Sequence, residues 1–435
     1  MKPLLFALLA ATTLAVPAEA RLSATEQRMA QTVEQERGRT IDLLEKLVNQ
    51  NSGSLNLAGV EAVGVMMRAE LEPLGFDVRW IPMTETGRAG HIVATHKGNG
   101  KGKRLLLIGH LDTVFEPDSP FQRFVRKGDK AEGPGAGDDK GGMVVMVSAL
   151  RAMKAAGTLK DADIEIVLTG DEEDSGNPLE IARRDLVAAG KRADVALDFE
   201  GLAQENGLDM GSIARRSSNS WELKTTGKTG HSSGIFSASS GYGAIYELAR
   251  ILEAFRTELP EQNLTFNVGL ITGGATAETD AGGIRAAATG KTNIIPAIAI
   301  ARGDFRTLSE EQTERVRTRM TAIVARHLPG TGAEITFGTD GYPAMAPTAG
   351  NRALLDRLNA VNRDLGLKEM GALDPLKRGA GDISFVARDV DGLVGLGTAS
   401  DGDHAPGETV DLVSIDRQAK RAAILMSRLS REPRP

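Results

Sequence analysis

The sequence predicts an α/β protein in which a mixed, largely parallel sheet flanked by helices is interrupted by a smaller inserted α+β unit. Three observations predict it. Short, mostly apolar runs at residues 105–108, 164–168 and 193–199 alternate with helical patterns, as parallel strands covered on both faces require. Between residues 220 and 338 the order becomes β-α-β-β-α-β, the split βαβ arrangement of a small sandwich. After residue 351 helical and βα patterns resume, so one α/β domain is made of two segments. At 435 residues the chain also exceeds one ordinary core. The expected boundaries are 21–211 and 346–435 for the two segments and 212–345 for the insert.

The elements follow in order. Residues 1–20 read as a cleaved targeting segment. Lys2 supplies the positive start, an apolar stretch runs from residue 4 to 16, and Ala18-Glu19-Ala20 fits a small-x-small cleavage site. The apolar stretch is shorter than the roughly 20 residues that span a bilayer, so a stable membrane anchor is not expected. The expected location is therefore secreted or periplasmic. Residues 25–49 and 57–74 carry helical spacing, the second ending at Gly75 as a C-cap. Residues 76–81 and 91–95 read as strands, and His91 and His96 on them as ordinary surface residues. The 105–108 strand leads into Gly109-His110-Leu111-Asp112. A glycine loop, Gly133-Pro134-Gly135-Ala136-Gly137-Asp138-Asp139-Lys140-Gly141-Gly142, then opens a buried helix over 142–153. The 164–168 strand ends in Asp171-Glu172-Glu173-Asp174, a helix covers 179–189, and the 193–199 strand ends at Glu200. In the insert, strands are expected at 220–226, 265–271, 294–305 and 333–338, with helices at 242–255 and 310–327. Helices at 354–365 and 415–429 and short βα patterns at 383–387 and 393–396 complete the chain.

Composition narrows the chemistry. The chain is 41% apolar and 25% charged, with a net charge of −6 and no long basic run, so nucleic-acid binding is not expected. It has no cysteine, which excludes disulfides, lipidated cysteine and thiolate ligands; any metal must be held by His, Asp and Glu. Candidate groups are His110, Asp112, Asp138, Asp139, Glu172, Glu173, Glu200, His231 and His404. Each alone has an ordinary structural reading as a cap, a turn former or a solvated charge. Together they end successive strand-loop units, where open α/β sheets bind ligands. So many converging carboxylates would repel unless cations neutralise them. Gly227-Lys228-Thr229 and Gly290-Lys291-Thr292 echo the end of a phosphate loop, but neither has the glycine required five residues earlier.

Gly109-His110-Leu111-Asp112-Thr113-Val114, the glycine loop around Asp138, Asp171-Glu172-Glu173, Phe199-Glu200 and a late His404 occur in one order across nearly the whole chain. Together they resemble the M20 metallopeptidase family, and most closely its glutamate carboxypeptidase branch. The resemblance implies a di-zinc exopeptidase fold with a ferredoxin-like lid and dimerisation domain, and a homodimer formed through that lid. It implies two Zn2+ per subunit, with Asp138 bridging, His110 and Glu200 completing one ion's ligands, and Glu173 and His404 the other's. Asp112 is expected to orient His110, and Glu172 to act as general base toward a metal-bridging hydroxide. His231 would reach across the dimer to the oxyanion, and Asn293, Arg306 and Gly381 would contact substrate. Glu200 is followed by Gly201 rather than Pro, which leaves Asp198 as an alternative ligand; Asp401 and Asp403 are alternatives to His404. Asp139 reads as a helix-start residue rather than a ligand. The implied function is an exported hydrolase that releases a C-terminal amino acid from a small peptide or an N-acyl amino acid. An N-acyl-amino-acid deacylase or dipeptidase shares the same chemistry, and a metal- or peptide-binding protein without catalysis is the third reading.

Overall fold

The computed structural model describes residues 22–434. The expected targeting segment, residues 1–20, lies outside the described residues.

The central sheet has six strands in the order Asp77–Pro82, Gly90–His96, Asp163–Thr169, Arg104–His110, Val195–Asp198 and Gly392–Val394. The first two pairings are antiparallel and the remaining three parallel. Leu105 and Leu107 face one apolar cluster while Leu106 and Ile108 face another on the opposite side. That is the period of two expected of a strand, here apolar on both faces because helices cover both. Helix Lys140–Ala155 lies against the first face and packs on helices Ala24–Gln35 and Leu412–Leu429. Register aligns His110 with Thr169 and Ile108 with Asp198, so the three central strands release their carboxyl ends side by side.

The insert forms a separate four-stranded antiparallel sheet, Thr265–Gly274, Ile298–Arg306, Asn219–Gly227 and Thr331–Phe337 in spatial order. Helices Ala244–Glu258 and Glu310–Val324 cover one face over Trp221, Leu223, Phe255 and Phe305, a cluster of their own. The second helix starts where Ser309 accepts from the Gln312 amide, with Glu310 and Glu311 in its first turn, a favourable N-terminal charge pattern. The two connecting segments pair with each other through Arg215 with Met345 and Ser218 with Tyr342.

Several expectations are corrected. The single strand expected over 294–305 is two, Ile294–Ile295 and Ile298–Arg306, because Pro296 between them has no N–H for a ladder. The helix expected over 179–189 breaks at Arg183, whose buried guanidinium is held by two carboxylates. A Thr276–Thr279 and Ala286–Thr289 hairpin was not foreseen. His91 is not a surface residue: it is buried, donates to Ala182 O (2.8 Å) and accepts from the Gly170 amide (3.0 Å). No described helix is long and apolar enough to cross a membrane.

Candidate metal centre

His110 is the last residue of its strand, and its buried imidazole lies across the carboxyl edge of the sheet. Its Nε2 is 2.9 Å from Asp138 Oδ1. The other oxygen, Asp138 Oδ2, is 3.1 Å from His404 Nε2, which is 3.2 Å from Glu173 Oε2. Ligating atoms of His110, Asp138 and Glu173 lie within 4.8 Å of one another, and so do those of His110, Glu172 and Glu200. Two overlapping clusters therefore share one end of the sheet. One carboxylate shows its two oxygens to two imidazoles, the disposition a bridging ligand needs. The donors are all imidazole nitrogens and carboxylate oxygens, a set that suits zinc and its first-row neighbours. Glu173 Oε1 is buried without a hydrogen-bond partner, which a cation would supply.

Loops far apart in the chain bring these groups together. The Ser400–Asp401 and Thr409–Asp411 strands belong to a small sheet with Lys130–Glu132, just before the glycine loop. Glu408 locks that loop: its carboxylate accepts from the amides of Gly135 (3.2 Å), Gly137 (2.7 Å) and Asp138 (3.1 Å). His404 sits between these strands at φ 64, a left-handed conformation that costs a side-chain-bearing residue free energy and marks functional turns. Asp401 pairs with Lys130 and Asp403 accepts from Ser400, whereas His404 is the residue of this turn that meets Asp138.

Asp112 does more than orient an imidazole. His110 Nδ1 is 3.1 Å from the Asp112 backbone carbonyl and 3.4 Å from its carboxylate, so the carbonyl is the nearer partner. The carboxylate accepts from Ser54 Oγ (2.6 Å) and from the amides of Glu172 (3.0 Å) and Glu173 (3.1 Å). It therefore fixes the backbone of the acidic loop as well. Burial works against its charge, but His110, Ser54 and the Glu172 amide hold its pKa below the ordinary value. Asp139 occupies the N-cap position of its helix but makes no side-chain cap. It is buried beneath His110, whose amide donates to it (3.3 Å), and desolvation with nearby acids pushes its carboxyl well up.

Their surroundings shift the acids of the cleft in different directions. Burial and the neighbouring Glu200 raise Glu172 well above the usual carboxylate range. Burial tends to raise Asp138 too, yet His110 and His404 drive it far below that range. Hydrogen bonds to Asp138 and Glu173 lift His404 to about 11. The negative charge that would hold a proton there holds a cation equally well.

Glu200 is gripped by a residue that sequence reasoning missed. Buried Arg215 places Nη1 2.8 Å from Glu200 Oε1 and donates from Nε to Gly379 O (2.8 Å). Asp198 is buried on the same strand, accepts from the Glu200 amide (3.2 Å), and stands outside both ligand clusters. Gly381 lies beside this pair: a Cβ there would strike the Arg215 guanidinium and come within 2.9 Å of Glu200 Oε1. Behind Glu172, the Tyr342 hydroxyl donates to the Glu172 carbonyl (2.9 Å) and accepts from Arg183 Nη2 (2.7 Å). No motif announces Arg215 or Tyr342, because each reaches the site from a connecting segment. Glu408 had a faint signal, an acid four residues after His404.

The insert residues stand apart from this cluster. His231 is exposed on the Gly230–His231 strand, its Nδ1 2.8 Å from Ser233 Oγ. Asn293 is exposed and its carbonyl accepts from the Ser232 amide. Arg306 is half-buried beside Asp304 (3.4 Å), and an atom built on the Gly379 Cα would lie 3.7 Å from its Nη1. Of these three residues, Arg306 is the one that approaches the loop that carries Gly381.

Known proteins share this architecture. Over 397 residues, 89% of this chain and 88% of its counterpart, the sequence is 30% identical to carboxypeptidase G2 of Pseudomonas sp. (strain RS-16). It is 28% identical over 333 residues to succinyl-diaminopimelate desuccinylase of Leptothrix cholodnii, covering 74% and 82% of the two chains. A solved dinuclear metal-binding peptidase from Bacillus subtilis has the same fold, with a TM-score of 0.64 at 17% identity over 91% of this chain and 98% of that one. The model of peptidase family M20/M25/M40 matches residues 106–429, from inside the strand that ends at His110 to the end of the last helix, and the chain belongs to that family of hydrolytic metalloenzymes.

Proposed function

We propose that the protein is an exported, zinc-dependent carboxypeptidase that cleaves an amide bond to release a C-terminal amino acid, in the manner of a glutamate carboxypeptidase. The observation that carries this reading is Glu172. Its carboxyl stands with His110 and Glu200, is raised well above the ordinary range by burial and by Glu200, and adjoins Glu173. A carboxylate so placed is suited to take a proton from water and return it to the leaving amine near neutral pH. A protein that only binds metal has no need of it.

Asp138, His110, Glu200, Glu173 and His404 are the residues that would hold two ions, and their donor chemistry fits. Bound divalent metal lowers the pKa of water and polarises a carbonyl. The rest is the chain's own work. Asp112 fixes the acidic loop by its two amides, Glu408 fixes Asp138, and Arg215 fixes Glu200. Arg306, Asn293 and Gly381 are assigned to substrate, with the Arg306 guanidinium suited to a carboxylate. His231 is assigned to the oxyanion of a partner subunit. A homodimer through the insert is supported by exposed Val268 and Ile271 on its edge strand. Export is supported by the apolar stretch and the Ala18-Glu19-Ala20 pattern. The carboxypeptidase reading is favoured by the 30% identical relative; the desuccinylase at 28% supports removal of an N-acyl group as the second reading.

The test is Glu172→Gln in metal-loaded enzyme. Elemental analysis should find the wild-type metal content, while turnover of N-acyl amino acids and dipeptides drops about 10²–10⁴-fold. Near-normal turnover would remove Glu172 as the base.

A further inference from the structure

We propose that Arg378 is a specificity residue whose guanidinium receives a second carboxylate of the substrate, distinct from the one assigned to Arg306. The inference rests on the hydrolase reading above.

Arg378 lies in the loop that carries Gly381, and its side chain is largely buried. Its Nη2 donates to the Gly201 carbonyl, and the only carboxylate within 4 Å among the described residues is Glu200, at 3.8 Å. That carboxylate is already paired with Arg215 at 2.8 Å, and Glu200 is one of the residues that would hold a metal. Arg378 Nε is buried without a partner, and Nη1 makes no hydrogen bond among the described residues. The Nη1 edge of this guanidinium therefore has no acceptor, and a planar carboxylate would take Nη1 and the second Nη2 hydrogen at once.

The space for such a group is present. A cavity of about 310 Å³ is lined by Gly201, Gln204, Lys377, Arg378, Ser400 and Asp403, among others. Lys377 pairs with Glu205 (2.7 Å) and Asp401 with Lys130 (3.0 Å), while Asp403 accepts from Ser400 Oγ (3.0 Å) and has no cation within 4 Å among the described residues. Arg306 approaches the same loop from the insert at Gly379. Arg215 also meets this loop but is taken by Glu200 and the Gly379 carbonyl; the two remaining guanidiniums, Arg306 and Arg378, suit a substrate with two carboxylates. The second carboxylate has two possible sources, the side chain of the released amino acid or the acyl group.

The experiment uses two substrate pairs with the zinc-loaded full chain. N-acetyl-L-glutamate against N-acetyl-L-glutamine tests the released side chain, and N-succinyl-L-alanine against N-butanoyl-L-alanine tests the acyl group. The wild type should favour the acidic member of one pair by about tenfold or more in kcat/KM, and that pair names the source. In Arg378→Met this ratio should collapse toward unity, whatever the absolute turnover. A ratio kept in the variant, or no preference in either pair of the wild type, overturns the proposal. A residue that merely supported Glu200 would lower both members alike and leave the ratio intact. Calorimetric binding of glutarate supplies a readout independent of turnover: a loss of about tenfold in Arg378→Met is expected, and equal binding overturns the proposal. Should none of the four substrates be cleaved, the hydrolase reading fails and glutarate binding alone decides on Arg378. If the methionine variant does not fold, Arg378→Lys keeps the charge without the fork and should still lose most of the preference; full retention overturns the assignment.

Discussion

Glu408 shows how much of the centre depends on one side chain outside the ligand set. Its two oxygens take three amide hydrogens from the glycine loop, and burial raises it to about 7 even with those bonds in place. A glutamine keeps the shape but turns one acceptor into a donor facing an amide. The expected result of Glu408→Gln is a metal affinity weaker by about 10–100-fold, as for other groups that hold ligands in place. Competition with a chelator of known affinity measures it; unchanged affinity would show that the loop holds Asp138 unaided. Gly381 is constrained for a different reason. Its φ of −178 suits any residue, so only space excludes a side chain. Gly381→Ala should therefore displace Arg215 or Glu200 and lower activity, with little change in overall fold by circular dichroism. His110, Asp138, the acidic pair and His404 were legible as residues because their motifs occur together in one order, although each alone has an ordinary structural reading. Arg215 and Glu408 were not, since an Arg or Glu in a loop has a solvated face as its ordinary fate.

At the scale of elements, the paired connectors between sheet and insert matter most. Arg215 on one reaches Glu200, and Tyr342 on the other reaches the Glu172 carbonyl, so any movement of the insert is felt on both sides of the cleft. Tyr342 also meets Phe385 edge-to-face and lies beside Arg183, which donates to Asp382 at 2.8 Å. Removing the hydroxyl leaves the Glu172 carbonyl without its donor, a cost of about 1–3 kcal/mol, while Arg183 Nη2 keeps the Asp171 carbonyl and Ser175 Oγ as acceptors. Tyr342→Phe should lower the melting temperature and kcat while leaving metal content unchanged; an unaltered kcat would show the acidic loop to be rigid without it. Strand 104–110 and the long helices were legible from their periods, with ends within a few residues of those expected. The break at Pro296 could have been read from the missing N–H. The break at Arg183 could not, because it follows from a buried ion pair with Asp171 and Asp382 that only the folded chain creates.

At the scale of the molecule, distant segments are tied by charge as well as by the core. Asp209 accepts from Gln204 (2.8 Å), Arg417 (2.9 Å) and Arg421, tying the Leu208–Gly211 strand to the last helix. Burial tends to raise its pKa, but these bonds outweigh it and hold the group below its usual value. A carboxylate with a lowered folded pKa adds stability that is complete above its unfolded value, about 3.9, and is lost as pH falls through the folded value. Asp209→Asn should thus be less stable than wild type at neutral pH, with the gap closing below about pH 4. Urea unfolding across that range checks it, and a gap independent of pH would sink the assignment. Metal removal acts on the same scale. Ions bound only to the folded state stabilise it by about 2.7 kcal/mol at a hundredfold excess over Kd, so chelation should lower the melting temperature and zinc restore it.

The sequence by itself determined the order of the elements, the two-segment sheet with its insert, and the identity of the residues that meet at the carboxyl edge. The elements follow from local periodicity, and the residue set from motifs whose common order resembles the M20 family. Only the tertiary structure decided which of them touch: Asp138 between His110 and His404, Asp112 holding the acidic loop by its amides, Asp139 buried rather than capping, Arg215 and Arg378 flanking Glu200. The reason is physical. A motif records what a residue can do, whereas its partners, its desolvation and hence its charge depend on which loops the sheet and its connectors bring within a few ångströms.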